Sequence, residues 1–263
     1  MLPQVITKNI TLSSIVVDMF SFFKKKKPKL LPLDFRQVVT DMHSHLIPGI
    51  DDGSTDLQTS INLIKTLKKL GFNKLITTPH IMSDFYKNTP EIILGGLQEL
   101  NHELNRQSIE IELNAAAEYY IDYEFESKVD ADEKFLTLNG KSILIETSFL
   151  SSPPNFGDSI FKLQLKGYNV ILAHPERYLF MNIDDLQMYK ERSVKFQLNL
   201  LSLLGYYGKE VQKRSEYLVD ENMIDYVGTD CHNINQADLY HRCFTNKYWH
   251  KLLNSGKLKN HLL

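Results

Sequence analysis

The chain has 263 residues, of which 43% are hydrophobic and 24% are charged, and its 14 Phe and 13 Tyr exclude disorder as the dominant state. Two Cys cannot staple a fold of this size, which excludes a disulfide scaffold. The formal charge is −2, but residues 1–30 hold six Lys and one Asp, so the remainder is acidic and predicts no nucleic-acid partner.

Residues 1–35 are predicted to form a flexible, lysine-rich arm. The apolar run before residue 24 is interrupted by polar residues, which argues against a signal peptide and a membrane span. Anionic lipid would attract the lysines from Lys24 to Lys29 by about 1 kcal/mol each. We therefore expect a cytoplasmic protein with a solvated arm, and weak, peripheral contact at the inner membrane face is the alternative. Met19 is an alternative start of the chain.

From residue 36 onward, short apolar runs alternate with segments of helical period. The runs predicted as strands are 37–41, 74–78, 109–113, 142–145, 168–173, 194–198 and 224–228. The segments predicted as helices are 57–70, 90–105, 158–166, 184–192, 207–221 and 237–253. Strands that alternate with helices imply a parallel sheet, and seven in one domain predict an α/β barrel over residues 36–263.

Metal-ligating residue types follow the ends of six of these seven predicted strands. The residues are His43, His45, Asp52, His80, Glu118, Glu146, His174, Asp230 and His232. The active site of a β/α barrel lies at the carboxyl ends of its strands. Residues two apart on a strand point the same way, so His43 and His45 can converge on one ion. Imidazole and carboxylate without thiolate suit Mn, Fe or Zn.

These motifs together resemble a known superfamily. They are His43-Ser44-His45, Asp51-Asp52-Gly53, Pro79-His80, Glu118, Glu146, His174-Pro175-Glu176-Arg177 and Asp230-Cys231-His232. They resemble the polymerase and histidinol phosphatase (PHP) superfamily over about residues 36–235. Within it, the pattern is most similar to the bacterial manganese-dependent tyrosine-protein phosphatases of capsule and exopolysaccharide biogenesis. The resemblance implies a single-domain, distorted (β/α)7 TIM-like barrel and a metal-hydroxide mechanism.

The resemblance also implies a three-metal site, usually assigned to manganese, with Fe or Zn as alternatives. The implied ligand sets are His43, His45, Glu118 and Asp230; Glu118, Glu146 and His174; and Asp52, His80 and His232. Arg177 would clamp two phosphate oxygens, because a guanidinium forms a planar fork of donors. The family's second arginine falls at Ala237, for which Arg242 and His241 are candidate replacements.

The implied substrate is a phosphotyrosine protein, the tyrosine-rich tail of a kinase that regulates polysaccharide synthesis and export. Residues 82–87 could present Phe85 and Tyr86 to a phosphorylated ring, or these rings could simply pack.

Two alternatives stay open: a histidinol-phosphate-type small-molecule phosphatase, and a non-catalytic regulator that binds a phosphoprotein, which Ala237 favours. A cysteine-dependent phosphatase is excluded, because no Arg lies six residues after Cys231 or Cys243. An amidohydrolase typically carries a lysine where the fourth predicted strand ends in Glu146.

Overall fold

Strands and helices alternate along residues 30–263, which are the residues that this computed structural model describes. The strands are β1 (Thr40–Asp41), β2 (Lys74–Thr77), β3 (His80–Ile81), β4 (Glu112–Ala115), β5 (Glu118–Tyr120), β6 (Ser142–Glu146), β7 (Asn169–Ala173), β8 (Lys195–Asn199) and β9 (Tyr226–Gly228). The helices are α1 (Leu57–Lys69), α2 (Pro90–Arg106), α3 (Tyr123–Asp130), α4 (Phe156–Leu165), α5 (Ile183–Glu191), α6 (Lys209–Asp220), α7 (Ile234–Ala237) and α8 (Lys247–Asn254). Shorter 3₁₀ helices lie at Phe35–Gln37, Pro175–Arg177, Leu200–Leu204, Tyr240–Thr245 and Asn260–Leu262.

The strands form two parallel sheets, in the orders β1-β2-β4 and β3-β5-β6-β7-β8-β9. The chain passes from the first sheet to the second twice, between β2 and β3 and between β4 and β5. Pro79, which has no N–H to donate to a ladder, lies at the first of these breaks. Each interrupted pair counts as one strand position, which leaves seven positions. The architecture is therefore the predicted distorted (β/α)7 barrel.

The first and last strand positions meet through the segments that follow β1 and β9. The backbone N–H of Asp230 donates to the carbonyl of His43 at 2.7 Å, and the N–H of His45 donates to the carbonyl of Cys231 at 3.0 Å. A parallel bridge also joins Ser44 to Cys231. The seam of the barrel is thus closed by the same segments that carry four of the predicted ligands.

The helices form where their apolar faces and caps predict them. Helix α1 begins after Asp56, whose carboxylate accepts a hydrogen bond from the N–H of Thr59, and it buries Ile61, Ile64 and Leu67 as expected. No helix within residues 30–263 combines the length and the apolar character that crossing a bilayer requires. Residues 1–29 of the predicted arm, including Met19 and the lysines from Lys24 to Lys29, lie outside the described residues.

Two of the helical regions differ from the sequence prediction. The single helix predicted over 237–253 is wrong, because α7 ends at Ala237 and α8 begins only at Lys247. The cause is Asn246, whose side chain accepts hydrogen bonds from the first N–H groups of α8 and therefore starts a new helix. Helix α3 was not predicted, although Asp122 caps it in the same way by accepting from the N–H of Phe125.

A buried ion pair outside the barrel mouth joins the start of β9 to α5. The carboxylate of Asp225 accepts hydrogen bonds from Lys190 Nζ, from Lys259 Nζ at 3.0 Å and from the N–H of Phe196 at 3.0 Å. Burial opposes ionisation of Asp225, but Lys190 and these hydrogen bonds hold its pKa below the usual value. The pair therefore links folding stability to pH.

We expect Asp225→Asn to lower the free energy of unfolding by about 1–3 kcal/mol at neutral pH, because charged donors lose their acceptor. A depressed carboxylate pKa contributes stability above the unfolded-state value, and this contribution is lost as pH falls through the folded-state pKa. The difference in the free energy of unfolding between the wild type and Asp225→Asn should therefore shrink below about pH 4. Urea unfolding at neutral and acidic pH measures it. Asp220→Asn, which removes an exposed partner of Lys251, should cost little, and an equal deficit at both pH values would contradict the assignment.

Candidate metal centre

All nine predicted ligand side chains lie together at the carboxyl end of the barrel. His80 and Glu118 begin β3 and β5, Glu146 ends β6, and His174 follows β7 directly. Parallel strands end at the same edge, so side chains far apart in sequence meet there. Of the nine, Asp52 is the most open to solvent, with a side chain 52% exposed.

Within this cluster, four groups each have ligand atoms within 4.8 Å of one another. The groups are His43, His45 and Asp230; His43, Glu118 and His174; His80, Glu118 and Glu146; and His45, Asp52, His80 and His232. Glu118 belongs to two of these groups, because its Oε2 lies 3.1 Å from His43 Nε2 in one group and 3.2 Å from His80 Nδ1 in the other. Its Oε1 lies 3.0 Å from His174 Nε2. One detail departs from the implied ligand sets. Glu146 lies closer to His80 (2.8 Å) than to His174 (3.9 Å).

Three of the five histidines are oriented by a hydrogen bond at Nδ1. The partner is Gln197 Oε1 at 2.8 Å for His43, Asp51 Oδ2 at 2.8 Å for His45, and the carbonyl of Asp230 at 2.9 Å for His232. A proton held at Nδ1 leaves Nε2 as the free lone pair, and a ligating histidine is commonly fixed in this way. The Nε2 atoms of His43 and His45 accordingly face each other at 3.3 Å.

The charges of the cluster balance one another through the histidines. Burial alone would favour the neutral form of Glu118, but His43 and His80 hold its pKa well below the usual value. Burial likewise opposes ionisation of Asp230, while His43 and His232 hold its pKa well below normal. Carboxylates that imidazolium groups can stabilise in this way are carboxylates that a divalent cation can stabilise more strongly.

Two further observations indicate that the clustered side chains suit a divalent metal ion. His80 Nδ1 and Glu146 Oε1 are buried 2.8 Å apart, yet within residues 30–263 neither has a partner in hydrogen-bond geometry, and His174 Nδ1 is also buried without one there. Buried polar atoms left in this state are expected where an ion would complete them. The donor set is imidazole and carboxylate alone, which suits Mn, Fe or Zn, since the nearby Cys231 thiol is buried and points to the carbonyl of Asn233.

A cavity of about 650 Å³ opens onto the cluster and provides space for a substrate. Its walls include the aromatic side chains of Tyr86, Tyr120, Phe149 and Tyr207. Arg177, at the end of the 3₁₀ helix after β7, also lines the cavity, with Nη1 3.3 Å from Asp230 Oδ2. The cavity therefore combines a metal-type cluster, a cation and aromatic walls.

A sequence model of the capsular polysaccharide synthesis family, CpsB/CapC, matches residues 39–245. The chain belongs to the CpsB/CapC family. The family predicted from the motifs is confirmed, and the match spans every residue of the cluster.

Relatives of this CpsB/CapC chain are named tyrosine-protein phosphatases, which is the enzyme class that was predicted. Tyrosine-protein phosphatase YwqE of Bacillus subtilis is 33% identical over 204 residues, which is 76% of this chain and 80% of that protein. Tyrosine-protein phosphatase CpsB of Streptococcus agalactiae serotype III is 25% identical over 207 residues, 74% of this chain and 83% of that protein. A solved structure, described as YwqE from Bacillus subtilis and CpsB from Streptococcus pneumoniae, "unique metal-dependent tyrosine phosphatases", matches with a TM-score of 0.74 and 30% identity, covering 85% of this chain and 93% of that chain.

Some residues singled out from the sequence lie away from the CpsB/CapC cluster. Ala237 is buried at the end of α7, and the suggested replacements Arg242 and His241 line a different surface depression. The suggestion that either replaces the second arginine is therefore wrong. In the 82–87 loop, Tyr86 stacks on His80 with ring centroids 5.5 Å apart, whereas Phe85 is 77% exposed and does not line the cavity.

Sequence reasoning missed the contribution of β8, the one predicted strand without a ligand at its end. Gln197 orients His43, and its Nε2 donates to Asn199 Oδ1 at 2.9 Å. Asn199 Nδ2 in turn donates to Asp230 Oδ2 at 2.6 Å. Gly228 permits this packing, because a Cβ there would lie 2.8 Å from Gln197 Nε2. The missed signal was two amides at a spacing of two at the carboxyl end of the strand.

We expect Gln197→Leu to weaken divalent-metal affinity about 10- to 100-fold, the usual cost of losing a group that orients a ligating histidine. The apo protein should keep its fold, since Leu fills most of the buried volume. Equilibrium dialysis against a series of Mn²⁺ concentrations measures the change in metal affinity. Gln98→Leu, on the exposed face of α2, is the matched control. Wild-type affinity in Gln197→Leu would show that the amide does not orient His43.

Proposed function

We propose that this chain is a protein-tyrosine phosphatase that uses three divalent ions, preferably Mn²⁺, bound by the nine clustered side chains. The single observation that carries the proposal is their convergence beside Arg177 in one aromatic-walled cavity. In this proposal residues 36–263 form the catalytic domain and residues 1–35 form a lysine-rich arm, of which Leu33 and Phe35 pack against the core of the domain. Without cations, the buried carboxylates of this site would depend on protonated histidines alone for their charge balance, which divalent ions would supply more strongly.

The proposed ligands are the nine residues in the sets implied by the family resemblance. Those sets group Glu146 with His174, whereas Glu146 lies closer to His80. When bound, the ions would supply Lewis acidity and a nucleophile derived from water at neutral pH. Arg177 would bind two phosphate oxygens and stabilise the charge that they gain in the transition state. The catalytic role of Arg177 rests on its place in the cavity, 3.3 Å from a proposed ligand carboxylate.

The cavity walls support an aromatic phosphoester as the substrate. Tyr86, Tyr120 and Phe149 offer ring faces and edges against which a phenyl ring can pack. Phenolate is a good leaving group, so little general-acid catalysis is needed from the chain. We propose that the physiological substrate is the tyrosine-rich tail of a kinase of polysaccharide export, reached in the cytoplasm or at the inner membrane face, where the lysines from Lys24 to Lys29 would contact lipid.

The decisive experiment is an assay of manganese-loaded protein on three substrates: a phosphotyrosine peptide, a phosphoserine peptide and histidinol phosphate. We expect turnover of the first, loss of turnover on exhaustive chelation, and recovery on adding Mn²⁺ back. Metal content per chain, measured by atomic emission, should approach three ions. Preferred turnover of histidinol phosphate would favour the small-molecule enzyme. Tight phosphopeptide binding with turnover no higher than that of His174→Ala would favour the non-catalytic regulator.

A further inference from the structure

We infer that Phe149 and Tyr207 are positioning residues that clamp the Arg177 guanidinium between two aromatic faces and so preset it for phosphate. The inference rests on the proposed function, in which Arg177 binds the phosphoryl group. It assigns roles to two residues, from two different loops, that no ligand motif includes.

The geometry around Arg177 is that of a double cation–π contact. Its Cζ lies 4.1 Å from the centre of the Phe149 ring and 4.3 Å from the centre of the Tyr207 ring. Both distances are well inside the range in which such contacts are attractive. Phe149 follows β6 and Tyr207 precedes α6, while Arg177 follows β7, so three separate elements converge on one guanidinium.

A third contact fixes the guanidinium along its edge. Arg177 Nη1 donates to Asp230 Oδ2, which also accepts from Asn199 Nδ2. The rings restrict tilt and the carboxylate restricts rotation, while the side chain stays 22% exposed toward the cavity. Donors held in place before the substrate arrives need no reorganisation during the reaction. The clamp would therefore act on the affinity for phosphate and on transition-state binding.

This positioning matters more here because no Lys and no second Arg of the described residues stands beside Arg177 at the cavity. Among residues 30–263, Arg177 is the one Lys or Arg that lines it. Ala237 lies at the position where a second arginine was expected, and Arg242 lines another depression. With one guanidinium rather than two beside the proposed ions, a loose Arg177 side chain would cost more phosphate affinity than in a site with two.

The ring of Tyr207, rather than its hydroxyl, is the part that the clamp uses. The hydroxyl oxygen is buried and has no hydrogen-bond partner of good geometry in the described chain. Removing an unpaired buried hydroxyl costs little, whereas removing the ring opens one side of the guanidinium. Tyr207→Phe and Tyr207→Leu therefore separate the two roles.

Binding of inorganic phosphate to the manganese-loaded protein, measured by calorimetry, tests the clamp without requiring turnover. We expect Phe149→Leu and Tyr207→Leu each to weaken phosphate binding about 5- to 30-fold. Tyr207→Phe should stay within about twofold of the wild type, as a retained cation–π contact requires. Phe161→Leu, which alters an exposed phenylalanine on α4, is the control. Circular dichroism and metal content confirm that each variant is folded and loaded.

Chemical rescue supplies a readout that a packing defect would not give. Arg177→Ala leaves a slot between two rings, and free guanidinium ion should enter it and restore part of the phosphate affinity. The double variant Arg177→Ala/Phe149→Leu should not be rescued. Wild-type affinity in both leucine variants, equal losses in Tyr207→Phe and Tyr207→Leu, or equal rescue with and without Phe149 would each overturn the clamp. If the clamp holds but no substrate is turned over, the proposed function fails instead.

Discussion

Glu118→Gln should reduce turnover of a phosphotyrosine peptide by roughly a thousandfold or more, because one carboxylate serves two groups of the cluster. The substitution keeps the shape of the side chain but removes the charge that faces His43 and His174 at 3.1 Å and 3.0 Å. Metal content should fall by at least one ion per chain. Steady-state kinetics at saturating Mn²⁺ and atomic emission on the dialysed protein measure both effects.

Glu99→Gln is the matched control for Glu118→Gln, since it makes the same chemical change on the exposed face of α2. It should retain wild-type turnover and metal content. Circular dichroism separates a lost site from a lost fold. If Glu118→Gln kept full metal content and activity, the cluster would not be the catalytic centre.

Arg177→Ala should lower kcat/KM by about 30- to 1000-fold, equivalent to about 2–4 kcal/mol, as expected when one preorganised donor to a developing charge is removed. Arg177→Lys should recover only part of the loss, because an ammonium keeps the charge but cannot form the planar fork. Part of the effect should fall on kcat, since the interaction strengthens in the transition state.

Arg192→Ala, on the exposed end of α5, controls for the loss of a positive charge and should behave as wild type. The proposed ligands include neither Arg177 nor Arg192, so metal content should stay unchanged in Arg177→Ala, Arg177→Lys and Arg192→Ala. A loss below roughly threefold for Arg177→Ala would place this residue outside the reaction, because it is far short of a donor-sized effect.

The barrel and the composition of its mouth could be predicted from sequence because both follow from periodic patterns. Alternating apolar runs and helical faces define seven strand positions, and the histidines and carboxylates at their ends are read directly as metal-ligand types. The family and its tyrosine-phosphatase class were predicted from the resemblance of these motifs to a known superfamily, and both are confirmed. The assignment of individual ligands and of Arg177 stays a proposal.

The rest could not be predicted, because it depends on contacts between residues with no distinctive local pattern. Gln197 resembles any polar residue in a strand until His43 is found at 2.8 Å. In the sequence, Phe149 and Tyr207 are not distinguishable from other aromatic residues. Only the structure shows that both rings contact the Arg177 guanidinium. The breaks at Pro79 and after β4 likewise depend on which sheet each half-strand joins, which is a tertiary property.

The closure of the barrel by the segments after β1 and β9 has a consequence for synthesis of the protein. His43 and Asp230 meet across a separation of almost the whole domain, so the proposed ligands that are synthesised first cannot be completed until the last ones are synthesised. A nascent chain whose residues 230–232 are still in the ribosome lacks part of the proposed cation site and has an open edge beside β1. Catalytic competence should therefore arise late and abruptly, and fragments that end before residue 230 should depend on chaperones to stay out of aggregates.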